Sequence, residues 1–297
     1  MSVALLLFPD FALIALGVLL KRYARFELAF WTGLEKLVYF VLFPSLLFNS
    51  TASATMDLAS TTGLIVACFG AMGSGVVLGY LAKPLFSPAP DVFASAVQCA
   101  FRFNSYIALA LAGRLAGGEG IALMAIVLGL CVPLANAAAV FALAQHRKAN
   151  VFGEMLRNPL IIATLGGLAC NLAGIHLPEF VMATIQRLGS ASIALGLIAV
   201  GAGLRLTGAI AEKPTLAWLL AVKLVAAPAV AWLIVSRLAL PPLQREIAIL
   251  FAALPAASSA YILAVRMGGN GAVVAFLISA STVLSTITLP VWLLVSR

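Results

Sequence analysis

The amino-acid sequence predicts an all-α integral membrane protein, and three observations predict this class. The mean hydropathy is +1.13, and 63% of the 297 residues are hydrophobic while only 9% are charged. A water-soluble protein of this size cannot bury so much apolar surface, because much of its surface must be polar. The apolar runs are continuous and about 20 residues long, as in transmembrane helices, whereas strands of membrane barrels alternate. The third observation, after the composition and the length of the apolar runs, is that the two halves of the chain resemble each other.

Ten apolar spans follow one another, separated by short connections. Each span is long enough to cross a hydrocarbon core of roughly 30 Å as a helix, which satisfies its backbone hydrogen bonds internally. In the first span Lys21, Arg22 and Arg25 follow the apolar run, whereas the charges of a cleavable signal precede it, so we expect a retained helix. The predicted spans begin near Ala4, Glu35, Thr62, Asp91, Gly120, Arg157, Phe180, Thr215, Glu246 and Gly271.

The resemblance between the halves predicts an internal repeat. The segment that begins at residues 8–11 and runs to Gly17 has a weakly similar counterpart that begins at residues 158–161 and runs to Gly167. Residues 105–109 are likewise weakly similar to residues 260–264. The polar link at residues 146–154 separates a first repeat, 1–149, from a second, 150–297. Each half holds five spans, an odd number, so the second half must enter the membrane from the opposite side. The sequence therefore predicts a 5+5 inverted repeat of ten transmembrane helices.

The basic residues of the loops predict the orientation in the membrane. With both termini outside, ten basic residues fall on the inner side and five on the outer side. Because loops rich in Lys and Arg stay in the cytoplasm, we expect both termini to face away from it. The inner residues are Lys21, Arg22, Arg25, Lys83, Arg147, Lys148, Arg157, Arg205, Lys213 and Arg266, and the outer ones are Arg114, Arg187, Arg237, Arg245 and Arg297.

The same composition argues against several other functions. The net charge of +8 comes from residues spread over short loops, without the basic, aromatic-rich patch that binds nucleic acid. The four cysteines lie inside spans without metal-binding spacing, so we expect packing residues, no metal site and no cofactor. The spans contain no paired acids, no His/Asp set and no serine with a base, so we expect no catalytic residues and no enzyme.

The fourth and ninth spans carry polar residues at matching places in their middle. Proline breaks or kinks a helix, and Asn or Ser can cap a helix that restarts. Two broken helices near the bilayer midplane would present N–H groups and positive dipole ends to an anion. The residues concerned are Gln98, Arg102, Asn104 and Ser105 in the fourth span and Pro255, Ser258 and Ser259 in the ninth.

Individual side chains in this region allow two interpretations. The planar guanidinium of Arg102 suits a carboxylate ligand, but it suits a neighbouring carbonyl or acid of the protein equally well. Ser258 and Ser259 either line a site or serve as small packing residues. Lys223, inside the eighth span, either pairs within the bundle or approaches the site. The candidate substrate-binding residues are Arg102, Asn104, Ser105, Tyr106, Pro255, Ser258, Ser259 and Tyr261.

Three segments carry a resemblance to a known family: residues 42–48 (LFPSLLF), 157–161 (RNPLI) and 254–264 (LPAASSAYILA). They resemble the auxin efflux carrier family, in its bacterial branch of PIN-like carriers, within the wider group of bile-acid/sodium-symporter-like proteins. Asn104 also stands where this family has an asparagine. The sequence departs from the family after Asn104, where residues 107–110 (IALA) replace the usual Gly and Pro. The sequence signal for an interruption is therefore weaker in the fourth span than in the ninth.

The resemblance implies a fold and a mechanism. It implies that broken helices 4 and 9 cross within a transport domain of helices 3–5 and 8–10. Helices 1, 2, 6 and 7 would form a scaffold domain, which allows a homodimer through these helices. Family substrates are mostly organic anions, including auxin and malonate-like carboxylates. The implied location is the cytoplasmic (inner) membrane of a bacterium.

These observations together predict a secondary transporter. We expect it to carry a small organic anion across the lipid bilayer by elevator-type alternating access. The alternatives are a sodium-coupled carrier like the bile-acid symporters, and a channel or sensor. We find no carboxylate in the middle of spans 3–5 or 8–10, which argues against a proton relay or a sodium site built on acids. A sodium site made of carbonyl and hydroxyl oxygens stays open.

Overall fold

The computed structural model of the protein describes residues 3–24, 26–53, 61–143, 159–175, 177–204 and 212–295. Within these ranges every regular element is helical, and 86% of the structure is helix. The predicted all-helical class is confirmed. The polar link at residues 146–154, the sixth-span opening at Arg157 and Asn158, and the loop residues Arg25 and Arg205 lie outside the described ranges.

The described chain is a succession of α-helices with two π-helical segments and one 3₁₀ turn between them. The π segments are Val38–Leu42 and Val222–Ala226, and the 3₁₀ turn is Val97–Ala100. The α-helices are α1 (Val3–Tyr23), α2 (Leu28–Leu37), α3 (Phe43–Ala52), α4 (Thr62–Tyr80), α5 (Ala82–Phe86), α6 (Pro90–Ala96), α7 (Ser105–Leu143), α8 (Pro159–Leu172), α9 (Glu179–Gly203), α10 (Lys213–Ala221), α11 (Ala227–Val235), α12 (Pro242–Ala253), α13 (Ser259–Arg266) and α14 (Gly271–Val295).

Six helical stretches of the described ranges are long and apolar enough to cross a bilayer. They are Leu28–Asn49, Thr62–Phe86, Pro90–Leu143, Glu179–Gly203, Lys213–Val235 and Gly271–Val295. A multi-pass membrane protein follows from these stretches. The count of ten spans and the 5+5 repeat stay predictions.

Helix α7 joins the predicted fourth and fifth spans. Its backbone leaves the helical region at Ala116 and Gly117, and Gly117 has a φ of 55°. This left-handed conformation is accessible to glycine without a Cβ clash. The kink lies just before Gly120, where the fifth span is predicted to begin.

The described residues cluster in two compact units, and each unit draws on both halves of the sequence. The first contains Met1–Leu58, Leu109–Gly129 and Phe152–Gly203, and the second contains Ala59–Ala108, Leu130–Val151 and Leu204–Arg297, in each case as far as the structure describes them. The predicted assignment of helices to a scaffold and a transport domain stays a prediction.

Glycines bring helices of the first unit into backbone contact. A Cβ atom on Gly17 of α1 would overlap the carbonyl of Ile198 of α9, and one on Gly201 would overlap the carbonyl of Ile14. Such small residues let transmembrane helices approach closely, since lipid offers no hydrophobic drive for their association. Between α3 and α8, Asn171 Nδ2 also donates a hydrogen bond to the carbonyl of Ala52 at 2.8 Å.

In the second unit, tryptophan and glycine residues connect the helices. Trp218 Nε1 of α10 donates to the carbonyl of Leu78 in α4 at 2.8 Å. A Cβ atom on Gly75 of α4 would lie 2.7 Å from the carbonyl oxygen of Ala100, so α4 touches the end of the 3₁₀ turn. The unit therefore packs α4 and α10 around the first half of the fourth span.

The π segment Val222–Ala226 ends two residues before Pro228. Proline has no N–H to donate to the carbonyl four residues earlier, which here is that of Leu224. That carbonyl instead accepts a hydrogen bond from Trp292 Nε1 of α14 at 2.9 Å. The π turn thus changes the hydrogen-bond register of the eighth span at Lys223, which is buried.

Candidate functional site

The fourth span is interrupted between Ala100 and Ser105. Helix α6 continues into the 3₁₀ turn, and Phe101 then leaves the helical region with φ −128° and ψ −22°. The chain restarts as a helix because Asn104 caps α7. Its Oδ1 accepts hydrogen bonds from the backbone N–H groups of Tyr106 at 3.0 Å and Ile107 at 3.2 Å. The interruption is therefore present although no Gly-Pro pair follows Asn104.

The ninth span is interrupted between Ala253 and Ser259. Leu254 adopts φ −58° and ψ 144°, because a residue before proline is pushed out of the helical region. Beyond Pro255, the backbone N–H of Ala256 donates to Ser281 Oγ of α14 at 3.1 Å. Two residues of the sequence, Leu254 and Pro255, thus end α12, and Ser281 holds the chain that follows.

Asn104 joins the two interruptions directly. Its backbone N–H donates to the carbonyl of Pro255 at 3.0 Å, and its Nδ2 donates to Ser258 Oγ at 3.1 Å. The Asn104 side chain is only 2% exposed. One asparagine therefore caps α7 and binds both the backbone and a side chain of the ninth span.

Arg102 lies beside this junction and is also buried. Its Nη1 donates to Gln98 Oε1 at 2.9 Å, and its Nη2 donates to Ser259 Oγ at 2.9 Å. Gln98 is held in turn, since its Nε2 donates to the carbonyl of Ser95 at 3.0 Å. Arg102 was expected to bind either a carboxylate ligand or a group of the protein. The structure shows two partners within the protein, Gln98 of the fourth span and Ser259 of the ninth.

The guanidinium of Arg102 is close to a helix end of like sign. Ser259, which it contacts, is the first residue of α13, and helix N-termini carry a partial positive charge. The Arg102 guanidinium and the N-terminus of α13 thus bring positive charge together at this place.

The backbone N–H groups expected to meet an anion are bound within the chain. Those of Tyr106 and Ile107 bind Asn104 Oδ1, and those of Ala260 and Tyr261 bind the carbonyls of Ala257 and Ser258. Electrostatic attraction in this region therefore comes from Arg102 and the helix ends, and not from these four amides.

The predicted site residues separate into two groups. Arg102, Asn104, Ser258 and Ser259 are brought together by hydrogen bonds across the two spans, with Pro255 at the crossing. The other predicted residues flank the junction: Ser105 and Tyr106 are half-buried in the first turn of α7, while Tyr261 of α13 is 36% exposed.

A sequence comparison identifies the second half of the chain. The family model described as membrane transport protein, which represents the auxin efflux carrier and PIN family, matches residues 148–293. The chain carries an auxin efflux carrier domain. The family consists of membrane transporters, and the predicted recognition is confirmed. A comparison with curated proteins finds no match.

The auxin efflux carrier domain includes the ninth-span interruption and Lys223. Within the matched range, Lys223 is 3% exposed, and its Nζ donates to the carbonyl of Ala252 at 3.2 Å. Ala252 lies in the last turn of α12, just before the interruption. Of the two interpretations left open for Lys223, the structure shows an ammonium that binds a helix end within the bundle.

Sequence reasoning missed Ser281, which holds Ala256. Ser281 belongs to a group of buried hydroxyl residues on α14 that also includes Ser279, Thr282 and Ser285. Such a group in an otherwise apolar span indicates a helix face that meets polar backbone. This signal is present in the sequence and could have identified α14 as the partner of the ninth span.

Proposed function

We propose that the protein is a secondary transporter of a small organic anion. The observation that carries this proposal is the buried guanidinium of Arg102, which bridges Gln98 and Ser259 at the junction of two interrupted helices. A charge buried within the membrane is costly, so it is retained where it serves a function or is compensated. An anionic substrate would interact both with the guanidinium and with the positive helix end beside it.

A carboxylate fits the chemistry of this junction. A guanidinium offers several N–H donors in one plane, which match the two oxygens of a carboxylate. The positive ends of α7 and α13 add to the attraction, because Ser105 and Ser259 begin these helices next to Arg102. We therefore infer substrate contacts by Arg102 and Asn104, with Ser105, Tyr106, Pro255, Ser258, Ser259 and Tyr261 around them.

Alternating access of the elevator type is the mechanism we propose. Support comes from the division of the described chain into two compact units, since the residues of the junction all belong to the second. In such a mechanism one unit carries the bound solute across the membrane while the other stays fixed. The proposal places the protein in a bacterial cytoplasmic membrane with both termini outside. A homodimer through helices 1, 2, 6 and 7 stays a prediction.

Counterflow in proteoliposomes tests the transport function. Proteoliposomes that contain the purified protein are loaded with unlabelled malonate, acetate or indole-3-acetate. Uptake of the same compound in labelled form is then followed. We expect saturable uptake of at least one carboxylate. We expect Arg102→Ala to lower it about 10- to 100-fold, the effect of losing one charged hydrogen-bond partner.

Two variants complete this test. Arg102→Lys keeps the charge but not the planar fork, so we expect intermediate uptake. Arg237→Ala, at an exposed position of the same unit, should transport like the wild type. Wild-type uptake by Arg102→Ala would remove Arg102 from the site. Unsaturable conductance of the wild type would favour a channel instead of a carrier.

A further inference from the structure

Lys223 lies where both interrupted helices end their first halves. It borders a small void together with Ala100 and Phe101 of the fourth span and Phe251 and Ala252 of the ninth. The void measures about 10 Å³, about the space that one water molecule occupies. The 3₁₀ turn ends at Ala100 and α12 ends at Ala253, so the C-terminal ends of two half-helices meet at this void.

Helix C-terminal ends attract cations. The last carbonyls of a helix have no partner within it, and the helix dipole gives this end a partial negative charge. In transporters with discontinuous helices, such carbonyls coordinate the coupling cation. The carbonyl of Ala252 is of this kind, and here Lys223 Nζ binds it at 3.2 Å.

The carbonyl at the end of α12 is the group that favours a positive charge on Lys223, whereas the burial of this side chain opposes it. In the part of the chain that the structure describes, its ammonium has no carboxylate neighbour, and the rest of the void is lined by apolar side chains such as Phe103. Lys223 lies within the π segment, where the hydrogen-bond register of the helix shifts, and its Nζ reaches the last turn of α12. The ammonium has the charge of a monovalent cation and binds a helix-end carbonyl oxygen of the kind that such a cation binds.

We propose that Lys223 fills a latent monovalent-cation site and acts as a built-in substitute for a bound sodium ion. Its ammonium stabilises the C-terminal end of α12 at the void that this helix shares with the end of the 3₁₀ turn, and its alkyl stem occupies the space that an ion would need. Shortening this side chain should open the site to Na⁺ or Li⁺. If the protein is the transporter proposed above, a site filled by Lys223 predicts transport without sodium coupling. Only this consequence of the inference rests on the proposed function.

Thermal unfolding of the purified protein in detergent micelles tests the proposal without a transported solute. The melting temperature is measured in choline chloride, NaCl, KCl and LiCl at equal ionic strength. The wild type should melt at the same temperature in all four salts, because its site is filled. A sodium-dependent rise of the wild-type melting temperature would overturn the proposal.

Two substitutions at this position separate charge from space. Lys223→Ser removes the charge and leaves room for an ion, so it should melt lower in choline chloride and recover by roughly 3 °C in NaCl or LiCl. Lys223→Met removes the charge but fills the space, so it should melt lower in every salt. Lys213→Ser, ten residues earlier at an exposed position, is the control and should behave like the wild type.

The outcomes are decisive in each arm. A folded Lys223→Ser variant whose salt response equals that of Lys223→Met would overturn the proposal. If neither Lys223→Ser nor Lys223→Met folds, the proposal is tested by the wild type alone, whose melting temperature should be the same in all four salts. Malonate uptake into wild-type proteoliposomes should be equal in NaCl and choline chloride. Absence of uptake in both salts, together with the expected melting pattern, would count against the transport function and not against the role of Lys223.

Discussion

The two interruptions of the second unit are reached by different means. The ninth span is broken by its own backbone: Pro255 cannot continue α12, and Leu254 is forced into an extended conformation. The fourth span has no proline at the corresponding place, and its break depends on the side chain of Asn104, which caps α7 and reaches Pro255 and Ser258. One break is intrinsic to the sequence, and the other requires a partner.

This difference teaches which break depends on the rest of the fold. Residues that follow Asn104, such as Ile107, Ala108 and Leu109, have ordinary helical propensity. Without the cap and the contact with the ninth span, little would stop helix formation across this place. We therefore expect the fourth-span break to be the more sensitive of the two to substitution.

The largest effect is expected for Asn104→Ala. It removes the N-cap and the hydrogen bond to Ser258, which together should lower the free energy of unfolding by about 2–4 kcal/mol. Reversible unfolding in mixed micelles measures this. Asn104→Ser keeps a capping oxygen but cannot reach Ser258, so its stability should lie between that of the wild type and that of Asn104→Ala. A fully stable Asn104→Ala variant would show that the fourth-span break does not depend on this side chain.

Ser281→Ala should have the next largest effect. It leaves the buried N–H of Ala256 without its acceptor, at a cost of about 1–3 kcal/mol in the same unfolding assay. Ser285→Ala is the matched control, because Ser285 is equally buried on α14 and its hydroxyl donates to the carbonyl of Thr282 in its own helix. Equal losses in both variants would contradict a specific role of Ser281.

Direct coupling between the interruptions should be smaller still. A double-mutant cycle of Asn104→Ala and Ser258→Ala isolates their hydrogen bond, and we expect a coupling energy of about 1 kcal/mol. Additive losses would mean that the two side chains act independently. In that case the backbone bond from Asn104 to Pro255 would be the contact that joins the spans.

The smallest effect is expected for Pro255→Ala. The carbonyl at this position still accepts from Asn104, so the main loss is the restriction that proline places on the unfolded chain, about 0.4–1 kcal/mol. A larger loss than in Asn104→Ala would reverse the order of dependence between the two breaks.

The same contrast explains how much the sequence could predict. Hydropathy and the length of the apolar runs were enough for the helical membrane class, because lipid leaves the backbone few alternatives. Pro255 by itself predicted the interruption of the ninth span. The positions of Arg102 and Asn104 within their span were also readable, because polar residues in such a span are rare. These are properties of single segments.

Contacts between distant segments could not be predicted from the sequence. Nothing near Lys223 indicates that its ammonium reaches the carbonyl of Ala252, 29 residues away along the chain. Similarly, the capping role of Asn104 was expected, but its bond to Pro255 depends on how two distant spans pack. A π segment such as the one that contains Lys223 cannot be recognised from propensity, since the same residues form an α-helix equally well.

The contact between Gly17 and Gly201 in the first unit has a consequence for synthesis. The two helices that meet there are separated by the rest of the first repeat and the start of the second, so α1 leaves the ribosome long before α9 exists. At the usual rate of translation the delay is roughly 10–40 s. During that interval the face of α1 that carries Gly17 lacks its α9 partner, so another surface, such as lipid or the insertion machinery, must cover it.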